Sequence, residues 1–290
     1  MRRKTKKYMK MKKIMILALL VLGFSLQAQD KKEDNKTWNN SGDISLMFNQ
    51  ATFDNWIKGG ENSLTLNGII NYNFNYKKDK TVWDTKLITA YGLSRINDDT
   101  KKTDDRFEVN STFGKQASKF WYYSFFGDFK TQMTDGYDYS VEPRTTTSKL
   151  FAPAYLTFGP GMLWKKSDNL KVNFAPATSK MTLVMDDDLS NAGAYGVDPG
   201  KNMRYEIGMA INGYYKFDLM KNISMENILG LYSNYLDKPE NVDVDYQMNM
   251  LMKINKYISA NFGINLLYDD NALQDIQLKE VFGLGFNAKF

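Results

Sequence analysis

The chain has 290 residues and a formal net charge of +5, with no Cys and no His. Without Cys there is no disulfide framework and no lipid-accepting thiol, and without His a Ser-His-Asp triad is excluded. Most zinc and iron sites also need these two residue types, so we expect no enzyme activity, no metal and no cofactor.

The first 28 residues have the pattern of a secretory signal peptide. Eight basic residues lie between Arg2 and Lys13, an apolar run follows at residues 14–22, and the small residue Ala28 ends the segment. We expect cleavage after Ala28. Cleavage leaves 30 basic against 33 acidic residues, a charge of about −3, so net charge gives no support to nucleic-acid binding.

The remaining chain divides into a short tail and one long patterned region. Residues 29–40 are polar and without period, which predicts a flexible periplasmic tail. Residues 41–290 alternate apolar and polar side chains; for example, Leu64, Leu66 and Ile70 share one face, while Asn67 and Asn71 lie on the other. No later stretch is long and apolar enough for a transmembrane helix, so a membrane location would require a closed barrel.

The alternation predicts an all-β fold, an antiparallel transmembrane β-barrel of about 12 strands. Most predicted strands are longer than the roughly 5 to 6 residues usual in soluble sheets. They lie at residues 43–50, 63–77, 81–95, 104–115, 120–132, 150–165, 170–184, 203–219, 223–236, 242–254, 257–268 and 277–290.

The links between these strands alternate in length. Short turns, predicted on the periplasmic side, alternate with longer links, predicted as outer loops, and an even strand count places both chain ends in the periplasm. The predicted outer loops are residues 51–62, 96–103, 133–149, 185–202, 237–241 and 269–276.

The last eleven residues resemble the closing strand by which bacterial barrel proteins are recognised for membrane assembly. Phe282, Leu284 and Phe286 fall on every second position, and the chain ends on Phe290. The expected location is therefore the outer membrane. Its expected partners are lipid and, through Phe290, the barrel assembly machinery.

Charged residues fall on the predicted inner face of the strands. They balance in sign, which argues against strong selectivity for anions or cations. They either pair across the lumen and fill it, giving a structural barrel, or line a narrow channel for small polar solutes. The predicted lumen residues are Lys86, Arg106, Lys130, Arg204, Lys216, Asp84, Glu108, Asp128, Glu206 and Glu226.

Two sets of loop residues are candidates for other roles. Trp56, Lys58, Gly59 and Gly60 form either a tucked cap or a constriction and ligand platform, and both readings stay open. The acidic clusters at residues 98–99, 104–105, 186–188 and 269–270 lack the spacing of a calcium loop, so we predict solvated charge and no metal.

Two alternatives to a channel or structural barrel remain. The first is a surface binding protein for glycans or envelope partners, with Trp56, Tyr137, Tyr139 and Tyr195 as contact residues. The second is a soluble secreted β-sandwich.

A set of short motifs runs through the chain. They include Phe53-x-x-Trp56-x-x-Gly59-Gly60-Glu61-Asn62, Trp83-Asp84, Ala152-Pro153, Tyr195-Gly196-Val197 and Leu267-Tyr268-Asp269-Asp270. Together they resemble an uncharacterised Bacteroidota outer-membrane family of unknown function, over about Trp38 to Phe290. The resemblance implies a barrel in the outer membrane and supplies no catalytic or binding residues.

Overall fold

The computed structural model describes residues 37–52, 61–97 and 99–290. These residues form fourteen strands, one short helix, α1 (Asp187–Asn191), and a 3₁₀ turn at Ala194–Gly196. None of the helical structure in this part of the chain is long and apolar enough to cross a membrane. The strands are β1 (Trp38–Ala51), β2 (Ser63–Lys78), β3 (Thr81–Ile96), β4 (Asp99–Gln116), β5 (Trp121–Thr131), β6 (Gly136–Asp138), β7 (Thr145–Ser148), β8 (Ala154–Ser167), β9 (Leu170–Leu183), β10 (Met203–Met220), β11 (Ile223–Asn234), β12 (Val242–Lys253), β13 (Ile258–Asp269) and β14 (Leu273–Lys289).

Twelve of these strands close into one antiparallel barrel, which confirms the predicted fold class. Each barrel strand pairs with its sequence neighbours, β5 pairs with β8, and β1 pairs with β14 to complete the circle. Strands β6 and β7 form a separate hairpin between β5 and β8. We call the end with the five short turns and the start of β1 the turn rim, and the opposite end the loop rim.

Side chains alternate between the inside and the outside of the barrel, as the pleat of a strand requires. In β5, Trp121, Tyr123 and Phe125 are exposed, while Tyr122 and Ser124 between them are buried. The large apolar side chains therefore lie mostly outside, and polar side chains lie inside. This is the reverse of a soluble β-sandwich, whose apolar residues fill the core.

The predicted length is wrong for two of the outer loops, which are short turns. Strand β3 ends at Ile96 and β4 begins at Asp99, and Asn97 after β3 adopts a left-handed φ of 54°, which is typical of tight turns. Strands β13 and β14 are joined by residues 270–272, where the Asp269 carboxylate accepts the N–H groups of Asn271 and Ala272. The left-handed residue at one turn and the side-chain hydrogen bonds at the other stabilise short turns where the sequence pattern predicted long loops.

The first strand starts earlier than predicted. It begins at Trp38, inside the tail predicted for residues 29–40, because Trp38 pairs with Tyr76 of β2. The Trp38 ring lies 5.0 Å from the Tyr76 ring and 6.0 Å from that of Trp83. These aromatic contacts extend the β1–β2 ladder towards the turn rim.

The β1–β14 seam is short. Strands β1 and β14 pair from Asp43–Lys289 to Phe48–Leu284, which is six positions, whereas β1 and β2 pair over fourteen. Within the described ranges, β14 has no partner on β1 beyond Leu284. The Asn287 amide of β14 donates to the Ser45 hydroxyl of β1 at 2.7 Å, which fixes the register at this seam.

This register predicts which cysteine pairs can cross-link the seam. Because the chain has no native Cys, a Ser45→Cys/Asn287→Cys variant should form one disulfide on mild oxidation, seen as a reducible change in gel mobility. A bridge needs Cα atoms about 4.4–6.8 Å apart, which paired positions satisfy. The control, Asn49→Cys/Gly283→Cys, lies one step beyond the paired region and should not form it. Efficient bridging of the control would show that the ladder continues past Phe48.

Candidate functional site

The structure places all ten predicted lumen residues on the inner face of the barrel. Several of them contact strands that are not their neighbours in the sheet, and such contacts are possible only across the lumen. Lys86 of β3 lies 2.8 Å from Glu226 of β11, and Lys130 of β5 donates to Asp245 of β12. Arg106 of β4 donates to Gln247 of β12 at 3.2 Å. Ion pairs and polar contacts therefore cross the lumen.

Near the turn rim, Asp84 is the centre of the charge network. Its carboxylate accepts from Lys165 of β8 at 2.7 Å and from Lys171 of β9 at 2.9 Å. Lys165 is buried and also contacts Asp168 at 2.9 Å. Neither lysine was among the predicted lumen residues, although Lys165 follows the inward-facing Leu163 at the correct spacing of two.

Two further groups of charges line the lumen. Glu226 accepts the Tyr214 hydroxyl at 2.7 Å in addition to Lys86, and Lys216 lies 3.8 Å away. Above them, Arg106 lies 3.5 Å from Glu108 and 3.4 Å from Asp104, which also pairs with Lys279 of β14 at 2.5 Å. Asp128 differs from these groups, because its one hydrogen bond within the described ranges is a long contact of 3.4 Å from the Asn212 amide.

The loop half of the lumen is held together by Lys180. Its ammonium lies 2.5 Å from Asp243 of β12 and 3.0 Å from Asp269 of β13. Arg204 lies 3.1 Å from Glu206, and the Glu206 carboxylate is 4.0 Å from Lys180. The carboxylates of Asp243, Asp269 and Asp270 are close enough for a cation site, but Lys180 already supplies a positive charge to the first two of them.

Two outer segments cover the loop rim. The segment at residues 184–202 carries α1, whose N-cap Asp186 accepts from the Leu189 N–H and from the Lys149 ammonium at 2.5 Å. The hydrogen bond from Lys149 holds the pKa of the Asp186 carboxyl below its ordinary value, and the same bond raises the pKa of Lys149. Beneath α1, Val184 and Leu189 pack with Val197 and Ala152. This apolar cluster packs α1 against the residues that flank β8 and β9.

Two of the four predicted binding aromatics form hydrogen bonds at the β6–β7 hairpin. The Tyr139 hydroxyl accepts the Lys102 N–H at 2.8 Å, and the Tyr195 hydroxyl donates to the Thr147 carbonyl at 2.5 Å. Tyr137 stays partly exposed at the surface. Trp56, with Lys58, Gly59 and Gly60, lies outside the described residues.

Below these layers the lumen widens into a cavity of about 580 Å³. Its wall includes Asn39, Asp168 and Asn169 at the turn rim, so the cavity reaches that end of the barrel. A second cavity of about 110 Å³ follows the inner face of β1 and β12 to β14. The lumen is therefore asymmetric: the Lys180 ion pairs lie in its loop half, and the larger cavity opens at the turn rim.

The sequence matches a family described as "Protein of unknown function (DUF3078)" over residues 48–137. This match covers less than half of the chain and less than the predicted resemblance from Trp38 to Phe290. No curated protein matches the sequence.

The similar solved structures are outer-membrane proteins. The translocator domain of the autotransporter NalP from Neisseria meningitidis has a TM-score of 0.32 and 7% identity, with 98% of each chain covered. An outer-membrane channel from Pseudomonas putida F1 has a TM-score of 0.38 and 8% identity, with 89% of this chain and 99% of that chain covered. OmpF from Salmonella typhi has a TM-score of 0.27 and 9% identity, with 87% and 97% covered. At these values the likeness carries no functional information about this chain.

Removal of Lys180 should destabilise the barrel strongly. A Lys180→Met substitution leaves Asp243 and Asp269 close together without their shared cation, and breaking a buried ion pair in this way costs about 3–5 kcal/mol. Lys216→Met removes a more exposed lysine 3.8 Å from its partner and should cost about 1 kcal/mol or less. Urea unfolding of the barrel in lipid vesicles measures both.

A third variant separates lost charge balance from lost packing. Lys180→Met/Asp243→Asn/Asp269→Asn removes the lysine together with both carboxylate charges, so it should recover much of the lost free energy of unfolding. Equal unfolding free energies for the single and triple variants would contradict the electrostatic explanation.

Proposed function

We propose that the protein is an integral β-barrel of a bacterial outer membrane. The outer surface supports this proposal, because large apolar side chains face outwards around the barrel. Phe125 of β5 is 51% exposed and Phe286 of β14 is 63% exposed, a costly arrangement in water and a favourable one in lipid. Trp83, Trp121 and Tyr257 are exposed near the turn rim, where an aromatic girdle would lie.

The sequence supplies the other parts of this proposal. The signal peptide of residues 1–28 directs export, the turn rim faces the periplasm, and Phe290 is recognised by the barrel assembly machinery. The resemblance in the sequence motifs favours a Bacteroidota outer membrane. The protein acts without enzyme activity, cofactor or nucleic acid.

For the lumen, the geometry favours a barrel closed by its own charges over an open channel. The observation that carries this is the contact of Lys180 of β9 with Asp243 of β12 and Asp269 of β13, which passes inside the two intervening strands β10 and β11 in the loop half. Small barrels have lumens filled by side chains and barrels of 16 to 18 strands leave open channels, so twelve strands lie between the two classes and the side chains decide. The outer segments with α1 and the β6–β7 hairpin add cover above these charges.

Binding at the outer loops receives less support. Of its four predicted contact aromatics, Tyr139 and Tyr195 use their hydroxyl groups to hold the loops together, as described above. A loop aromatic that stabilises its own loop is a poor platform for stacking against a sugar. We therefore favour the closed barrel over surface binding through these aromatics.

The lipid proposal predicts how charge on the outer face affects stability. An Arg at the bilayer midplane of a barrel costs about 2–4 kcal/mol, falling to about 0–1 kcal/mol near the interface. Phe125→Arg should therefore unfold at lower urea than Phe125→Ala in lipid vesicles, with a difference in this larger range. At Trp121, four residues closer to the turn rim on the same face, Arg and Ala should differ little. Equal stability of Arg and Ala at both positions would support the soluble rival.

The closed-lumen proposal predicts that the protein gives no single-channel conductance steps in planar bilayers. The refolded mature chain should insert without regular conductance steps, because ion pairs and loops occupy the loop half of the lumen. A Lys180→Ala/Asp243→Ala/Asp269→Ala variant should show steps, since three small side chains leave room for water. Lys216→Ala, in the wide part of the lumen, should stay silent. Regular steps from the unaltered protein would overturn the closed lumen and favour the narrow channel.

A further inference from the structure

The wall of the 580 Å³ cavity is rich in asparagine. Cavities of about 300–1,000 Å³ are the usual size of small-molecule sites. Seven amide side chains line it. Asn169 lies in the turn between β8 and β9, and the other six come from five different strands: Asn39, Asn73, Asn75, Asn110, Asn173 and Asn212.

The strand register places several of these amides in rows along the wall. Asn73 of β2 pairs with Lys86, Lys86 with Asn110 of β4, and Asn110 with Asp128 of β5, which forms one row along the wall. Across the lumen, Asn173 of β9 pairs with Asn212 of β10. The long contact from the Asn212 amide to Asp128 shows that these two walls approach each other. Amide groups therefore stand on both of these walls of the cavity.

The charged groups of this wall are mostly occupied by one another. Asp84 binds Lys165 and Lys171, Lys130 donates to Asp245, and Lys86 pairs with Glu226, as described above. Four lysines, Lys86, Lys130, Lys171 and Lys216, face four aspartates, Asp84, Asp128, Asp168 and Asp245, on the cavity wall. The balance gives the cavity no net charge that would attract an anion or a cation.

The amides, in contrast, are largely free. Within the described part of the chain, the side chains of Asn39, Asn73, Asn75 and Asn110 have no hydrogen-bond partner. Asn173 is 3% exposed, and although its oxygen accepts from Ser124 at 2.6 Å, its Nδ2 has no partner. A buried donor without a partner costs about 1–3 kcal/mol. A polar ligand or water must satisfy it.

We propose that this cavity binds an uncharged, hydroxyl-rich ligand, a saccharide, that enters from the turn rim. Each amide offers donors and an acceptor, and each sugar hydroxyl can both donate and accept, so the two groups match in both directions. Ser41 and Thr112 add hydroxyls to the same wall. The inference goes beyond the closed barrel, and it holds whether or not the loop half conducts.

Isothermal calorimetry on the refolded mature barrel tests the proposal. The detergent must lack a sugar headgroup, so we specify lauryldimethylamine oxide. The neutral probes are glucose, galactose, mannose, N-acetylglucosamine and maltose, and the charged probes are glucose 6-phosphate and glucosamine. We expect at least one neutral probe to bind saturably at one site, and its charged analogue to bind about tenfold more weakly or not at all.

Variants locate the site. Asn73→Ala/Asn110→Ala should weaken binding about tenfold or more, because each lost hydrogen bond contributes about 0.5–1.5 kcal/mol and tenfold corresponds to about 1.4 kcal/mol. The matched control, Asn265→Ala, removes an amide that lines the smaller cavity and should leave binding unchanged. Asn73→Ser/Asn110→Ser keeps short polar groups as a second variant, should the alanine form fail to fold.

Three results would overturn the proposal. The first is an absence of saturable binding by every neutral probe, which would make the cavity a water-filled space. The second is tighter binding of a charged probe than of its neutral analogue. The third is equal weakening by Asn265→Ala and by the cavity variants. The conductance experiment is independent, so failure of either proposal can be told from failure of the other.

Discussion

The structure depends on one constraint, the closed ladder of backbone hydrogen bonds that forces every second side chain into a narrow interior. A soluble protein fills such an interior with apolar groups, but here the apolar residues are on the outside and charged residues are enclosed. An enclosed charge is costly unless an opposite charge meets it. Lys86, Lys130 and Lys180 are long enough to reach carboxylates on distant strands. The same contacts that satisfy the charges also brace the barrel across its lumen.

The two halves of the lumen differ in how their enclosed polar groups are arranged. In the loop half, charges pair at close range around Lys180, near the segment that carries α1. In the turn half, short amide side chains stand among the charged ones, and a cavity of about 580 Å³ remains. Asparagine carries hydrogen-bonding capacity without charge and without the length to reach across, and this difference in side-chain type divides the lumen.

The period-two pattern of the sequence was sufficient to predict the twelve barrel strands and the inward position of residues such as Glu226. It could not predict the partners of these residues, because contacts across the lumen depend on the stagger accumulated around the whole circle. Lys180 illustrates a second limit. The β9–β10 pairing shifts register near Pro176, which lacks an N–H, so the inward face passes from Asn173 and Ala175 to Thr178 and Lys180. Simple alternation from Asn173 would place Lys180 outside.

The short seam between β1 and β14 also bears on how the barrel forms. Nearly all of its strand pairs join segments that are close in sequence, and such contacts have a small entropic cost of loop closure. The pairing of Asp43 with Lys289 joins the two ends of the barrel region, and it is backed by six paired positions. Closure of the barrel is thus a single long-range pairing step that forms few hydrogen bonds. The other strand pairs can form before this closure, so an open sheet with free edges is the natural precursor of the closed barrel. In that open form, the edges of β1 and β14 are accessible to outside factors.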